Sequence, residues 1–235
     1  MSLSLKKSIL VSAALLVATS AMAESYDRVG VSYNNDCYRY SNNYYKNDKS
    51  STKANGIGLN YVHGFGLHKR LPMFLEVGGS LNYNYKDDVR SYESNEITID
   101  HEFQFHNIYL TIPVNFAWKF DFAKDFYITP YTGIDFKLNC LVRERQTKSV
   151  DGITYSKYWV DWLTRDKKKG PASHWSVFQM GWHIGSTFGW RQFSLGVQYE
   201  IDFIPAYYQP YIYVDHKEVE RFDTSGFKLT LGYNF

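Results

Sequence analysis

The chain has 235 residues, with 26 Lys and Arg against 24 Asp and Glu, for a formal net charge of +2. That balance excludes a protein built to neutralise many nucleic-acid phosphates, and no stretch beyond residue 23 is apolar enough for a membrane helix. Aromatic residues are the unusual component, with 21 Tyr, 16 Phe and 6 Trp. They point to a β-protein that is either soluble or a membrane barrel, in which only every second residue meets lipid.

At the N-terminus, Lys6 and Lys7 precede a small or apolar run from Ser8 to Thr19, and Ala21-Met22-Ala23 supplies a small-x-small site. This is the pattern of a secretory signal peptide, cut before Glu24. A membrane anchor is the competing reading, but the apolar run is only about a dozen residues where a spanning helix needs about 20. No Cys follows the cleavage site, so lipid attachment is not expected. The expected organisation is a signal peptide over residues 1–23 and one domain over residues 24–235.

Taken in chain order, the domain alternates with a period of two, the signature of half-exposed strands. Val29, Val31 and Tyr33 open the series weakly against Arg28, Gly30, Ser32 and Asn34. Ile57 to Leu67 and Met73 to Tyr85 follow on odd positions. Ile108, Leu110, Ile112, Val114, Phe116, Trp118 and Phe120 then alternate with Asn107, Thr111, Asn115 and Lys119. Ile128, Ile134, Phe136 and Leu138 alternate with Tyr131, Gly133, Asp135, Lys137 and Asn139. Phe178 to Trp190 and Phe193 to Phe203 keep the rhythm, and "GFKLTLGYNF" closes it. Eight strands are expected.

The connections alternate too. His68-Lys69-Arg70, Asp121 to Asp125 and Trp190-Arg191-Gln192 are tight, whereas residues 41–53, 87–102, 143–173 and 206–221 form long polar connections. In an antiparallel up-and-down barrel this gathers the short turns and both termini at one end. A soluble eight-stranded carrier would be apolar inside and polar outside. Here one face is Gly, Asn, Ser and Thr, suited to a narrow lumen, and the other is bulky enough for lipid. The fold class is therefore all-β, an eight-stranded antiparallel up-and-down transmembrane β-barrel.

The signal peptide, eight strands, loop asymmetry and closing aromatic resemble the OmpA-type or opacity-type family of small outer-membrane β-barrel proteins. The resemblance extends over essentially the whole domain. It implies a bacterial outer-membrane location, both termini periplasmic and long loops extracellular. It also implies that Phe227, Leu229, Leu231, Tyr233 and Phe235 form the signal read by the barrel-assembly machinery. No periplasmic peptidoglycan-binding domain is expected after the last strand, so a wall-tethering role is not carried over.

On the inward faces, Arg28, Lys119, Lys137 and Lys228 stand against Glu76, Asp135, Glu200 and Asp202, with His183 nearby. A barrel of eight strands is just wide enough for side chains to fill, so an ion-paired plug and no wide pore are expected. An ion or proton path through Asp135, Lys137, Glu200 and Asp202 is the alternative. Cys37 and Cys140 fall on opposite walls, and a bridge would need Cα atoms within about 7 Å.

The connection 143–173 carries Arg143, Arg145, Lys148, Lys157, Arg165, Lys167, Lys168 and Lys169 among Tyr155, Tyr158, Trp159 and Trp162. Arg143, Arg145, Lys157, Trp159, Trp162, Lys167, Lys168 and Lys169 are candidates for binding lipopolysaccharide phosphates or a host or phage ligand. A solvated loop is the alternative. His174-Trp175-Ser176 is similar to the His-x-Ser element of lipid A deacylases and is expected to face outward, but Val177 stands where that element has Asn. No HExxH, CxxC or Gly-rich phosphate loop occurs. The sequence is read as a non-enzymatic barrel needing no cofactor or metal and binding no nucleic acid. Its expected role is structural or surface interaction, with a narrow channel second and a lipid A-modifying enzyme third.

Overall fold

The alternation along the chain becomes, in the computed structural model, one antiparallel sheet that closes on itself. The structure describes residues 24–42, 49–69, 71–94, 97–163, 175–212 and 217–235; the expected signal peptide lies outside them. Eleven strands occur among these residues: β1 (Ser25–Asn42), β2 (Lys49–Gly66), β3 (Met73–Ser94), β4 (Ile97–Trp118), β5 (Phe120–Ala123), β6 (Phe126–Val150), β7 (Ile153–Asp161), β8 (Phe178–Trp190), β9 (Phe193–Asp202), β10 (Tyr207–Ile212) and β11 (Lys217–Asn234). Eight of them form the ring β1-β2-β3-β4-β6-β8-β9-β11, and β11 pairs back to β1 from Arg28↔Asn234 to Asn42↔Glu220. The expected eight-stranded up-and-down order is the one observed.

Successive side chains of a strand point to opposite faces. The outer face carries Val29, Val31, Ile57, Leu59, Ile112, Ile184, Leu195 and Leu231, all exposed. Such a belt is far larger than the apolar patch a soluble monomer leaves open. Aromatic rings border it at the end that holds both termini: Trp118 stacks on Phe120 at 5.8 Å, Phe126 on Trp190 at 6.3 Å, and Phe193 meets Tyr233 edge-on. The turns at this terminal end are tight. Lys124-Asp125 links β5 to β6, and Arg191-Gln192 links β8 to β9 with Arg191 at φ 54°.

The long connections require a correction. Asp87↔Gln104 through Ser94↔Ile97 continue the β3–β4 ladder, and Arg143 to Val150 continue β6 before an Asp151-Gly152 turn starts β7. Both turn residues have positive φ, 48° and 77°, as a two-residue type I′ hairpin requires. Segments read as loops at 41–53 and 206–221 likewise contain the ends of β1, β2 and β11, together with β10. Asp87 to Glu102 and Arg143 to Val150 are mostly polar at successive positions, so no period of two announced them. A strand needs about 9–11 residues to cross the hydrocarbon, whereas β3 and β4 have 22 each and β6 has 25. The surplus builds a head at the distal end, away from the termini.

A bulge marks the passage from barrel to head. Ile108 pairs with Leu141 and Tyr109 with Asn139, leaving Cys140 as the extra residue. The added residue reverses the facing of the strand beyond it, so Asn139 and Val142 both turn inward and are buried.

Two inward glycines make room for rings. A Cβ on Gly189 would lie 1.8 Å from Tyr127, and one on Gly185 would lie 2.5 Å from Tyr131, whereas a Cβ on Gly79 meets nothing. Gly189→Leu is expected to cost about 1–3 kcal/mol or to prevent folding, and Gly79→Leu to be tolerated, as read by thermal unfolding of detergent-refolded protein.

Candidate functional site

Each wall contributes inward side chains to the lumen, and ring closure brings distant ones together. Toward the terminal end, the Arg28 guanidinium of β1 lies 3.3 Å from Glu76 of β3. Tyr26 donates its hydroxyl to the same carboxylate. Asn115 Nδ2 of β4 donates to the other Glu76 oxygen at 2.8 Å. This commits the amide, so Asn115 Oδ1 accepts from His183 Nε2 of β8 at 2.8 Å. His183 Nδ1 stands 2.7 Å from Asp135 Oδ2 of β6. Five strands are thus tied by one chain of contacts, and Glu76, Asp135 and His183 are all at most 1% exposed.

The second cluster lies toward the distal end. Lys137 donates to Glu200 at 2.7 Å and to Asp202 at 3.0 Å. Gln179 links Asp202 to Asn139. Asp36 of β1 accepts from Tyr109 at 3.0 Å and from Asn84. Asp36 is 3% exposed and was not among the expected lumen charges; it belongs to the inward series Ser32, Asn34, Asp36, whose outward partners stop being apolar beyond Tyr33. Lys228 faces the cavity between the clusters, which also meets Arg28, Thr111, Asp135 and Gln198 and has a volume of about 60 Å³. That is room for a few waters.

Lys119 departs from the expected network. The chain leaves the ladder after Trp118, so the Lys119 ammonium stays at the terminal rim, 3.6 Å from Asp121 and 5.1 Å above the Tyr127 ring.

Beyond the distal cluster the interior changes character. Tyr38, Ala54, Val142, Trp175, Ala206 and Tyr207 form a buried apolar group, joined by Phe105, Trp162 and Phe222. Tyr38, Phe105 and Trp175 meet one another with ring centroids 5.5 to 5.7 Å apart. Trp162 is therefore not a surface residue: it turns inward and meets Tyr207 edge-on at 6.3 Å. Trp175 is inward as well, and the Ser176 hydroxyl, expected to face outward, donates to the Pro205 carbonyl at 2.8 Å. His174 lies outside the described residues.

Of the other surface candidates, Arg143, Arg145, Lys157 and Trp159 share the outer face of the head. Arg143 lies 3.5 Å from Asp161, and Arg145 lies 3.3 Å from Glu102 and over the Trp159 ring. Both arginines are thus matched by carboxylates, while Lys157 and Trp159 are exposed. Lys167, Lys168 and Lys169 lie outside the described residues. Phe227, Leu229, Leu231, Tyr233 and Phe235 line the outer face of β11 and its end, and Phe235 exchanges backbone hydrogen bonds with Asp27. Cys37 and Cys140 are free thiols on β1 and β6. Among the described residues no group of His, Cys, Asp and Glu could hold a metal ion.

No curated protein sequence matches this chain. Among solved structures it is similar to Ail, the attachment invasion locus protein of Yersinia pestis, in complex with the heparin analogue sucrose octasulfate. That match has 13% identity and a TM-score of 0.39 and covers 89% of this chain and 99% of that one. It is also similar to Neisserial surface protein A, with 12% identity, a TM-score of 0.36 and coverage of 88% and 97%. For the outer membrane protease OmpT of Escherichia coli the values are 10%, 0.32, 90% and 95%. The model of the outer membrane protein beta-barrel domain family matches residues 23–207. With that match and the closed, lipid-belted ring of eight strands, the chain belongs to this family and is a bacterial outer-membrane β-barrel protein.

Proposed function

We propose that this barrel is closed to solutes and works at the cell surface through its distal head, without enzymatic activity. The observation that carries the reading is the lumen, where two buried clusters leave a cavity of only about 60 Å³. In the proposed orientation the termini are periplasmic and the head is extracellular, following removal of residues 1–23 as a signal peptide. The outer face of β11 from Phe227 to Phe235 serves the barrel-assembly machinery, and the aromatic belt anchors the ring in lipid. On the outer head, exposed Trp159 offers amphipathic contact area, while the neighbouring Tyr158, on the other face of β7, donates to Gln146. With Arg143 and Arg145 already matched by carboxylates, recognition there rests on rings and hydrogen bonds more than on net charge. Lipopolysaccharide is the nearest surface for such contacts, and a host or phage ligand would meet the same face.

Protein reconstituted into planar lipid bilayers is expected to give no steady conductance steps. Steps that disappear in Asp135→Asn or Glu200→Gln would overturn the closed reading and establish the narrow channel.

The Lys137 ammonium is expected to hold the distal cluster together. Lys137→Met leaves Glu200 and Asp202 buried without their cation and is expected to cost about 3–5 kcal/mol. Lys137→Met with Glu200→Gln and Asp202→Asn is expected to recover most of that loss, as measured by urea unfolding in detergent followed by tryptophan emission.

A further inference from the structure

Among the described residues, the ring that closes in the membrane does not close in the head. Toward the distal end β7 takes the place of β8 beside β6, and β10 takes the place of β9 beside β11. β8 and β9 pair with each other, but β7 and β10 do not. β7 pairs with β6 alone, and β10 pairs with β11 and, through its first residue, with Trp175. Ile153 to Val160 and Tyr208 to Ile212 therefore each present a row of backbone N–H and C=O groups with no partner among the described residues. The β7 row stands in the open, since every residue from Ile153 to Trp159 is exposed.

The base of the gap shows its width. There Trp162 donates its backbone N–H to the Val142 carbonyl of β6, and Trp175 donates to the Trp162 carbonyl at 3.4 Å. Trp175 also pairs with Tyr207, which pairs with Phe222 of β11. One residue of extended chain thus joins the end of β7 to the start of β10. Neighbouring strands lie about 4.7–4.9 Å apart, so the two edges stand two spacings apart at that level, with room for a single strand between them.

An exposed strand edge is a template for another chain. Main-chain hydrogen bonds then supply affinity, and alternate side chains supply selectivity. Edges are commonly guarded by proline, charge or a bulge. β7 has no proline, its bulge lies at the far end beside Lys148 and Ser149, and its only charged residues are Lys157 and Asp161. Tyr158 and Val160 stand on its inner face, Lys157 and Trp159 on its outer face.

We infer that the slot between β7 and β10 is a docking site for an extended segment of a partner polypeptide, which enters as an added strand and pairs with both edges. The edge chemistry selects a chain without proline, apolar at alternate residues beside Tyr158 and Val160 and polar or acidic at the residues between, beside Lys157. The inference rests on the reading of the head as the interacting part of the barrel, and it names the class of partner.

A nonapeptide that alternates valine with threonine and glutamate serves as the probe. Successive residues of a strand direct their N–H groups to opposite edges, so N-methylation of two valines blocks one edge and N-methylation of two intervening residues blocks the other. By fluorescence anisotropy on the full protein in lipid nanodiscs, the unmodified peptide is expected to bind saturably. Each methylated form is expected to bind about five- to hundred-fold more weakly, the worth of two hydrogen bonds. Hydrogen–deuterium exchange is expected to find the slot-facing amides of β7 and β10 open in the free protein and slowed together by the unmodified peptide. Equal binding of all three peptides would mean adsorption through side chains, and weakening by one methylated form only would mean addition to one edge; either result overturns the slot. Slot-facing amides already protected without peptide would overturn it as well. Absence of saturable binding would overturn the slot and leave the closed lumen standing, because only the conductance measurement bears on the lumen.

Discussion

The constraint on which everything else depends is that backbone N–H and C=O groups in hydrocarbon have no water to bond. Each unsatisfied group costs several kcal/mol, so a spanning sheet must have no edge. The β1–β11 ladder meets that demand, running from Arg28↔Asn234 to Asn42↔Glu220. Closure then sets the diameter. With eight strands the interior holds side chains and little else, so the inward residues must fill it and satisfy one another. Gly185 and Gly189 show how tight the space is, because the rings of Tyr131 and Tyr127 occupy what a larger side chain would need.

Filling a narrow lumen with polar groups commits the protein to pairing them. A charge removed from water is tolerated only with a partner and further hydrogen bonds. Lys137 between Glu200 and Asp202, and Arg28 against a Glu76 that also accepts from Tyr26 and Asn115, satisfy that condition. The same contacts that neutralise the charges also cross the lumen from wall to wall. Beyond the Cys140 bulge the inward face becomes apolar, and clustered aromatic rings surround a cavity of about 310 Å³ in the upper barrel. The barrel is thus apolar outside and polar inside along the membrane, and apolar inside again where it leaves the membrane.

The strands that overshoot the hydrocarbon meet water on their outer face. There the charges pair locally, Arg143 with Asp161 and Arg145 with Glu102, and such exposed pairs add little stability. Their effect is on character: they remove net charge from a face that still exposes Trp159. The head is an extension of the barrel ladders, so its position is set by the same register that closes the ring.

The period of two, read residue by residue, determined the strand order, the lipid-facing belt and the inward placement of Glu76, Asp135, Lys137, His183, Glu200, Asp202 and Lys228. It could do so because a buried face and a lipid face differ in chemistry at every step along a spanning strand. Where successive residues are polar alike, as at Asp87 to Glu102 and Arg143 to Val150, the contrast vanishes and strands read as loops. Asp36 was missed for the same reason, and Lys119 was misplaced because alternation does not reveal where a ladder ends. Only the tertiary structure decided which inward residues meet. Glu76, Asn115, His183 and Asp135 come from four strands, and their contact depends on the register accumulated around the ring. The bulge that turns Val142 inward, and the inward packing of Trp162 and Trp175, depend likewise on pairings between strands far apart in the chain, which no local pattern records.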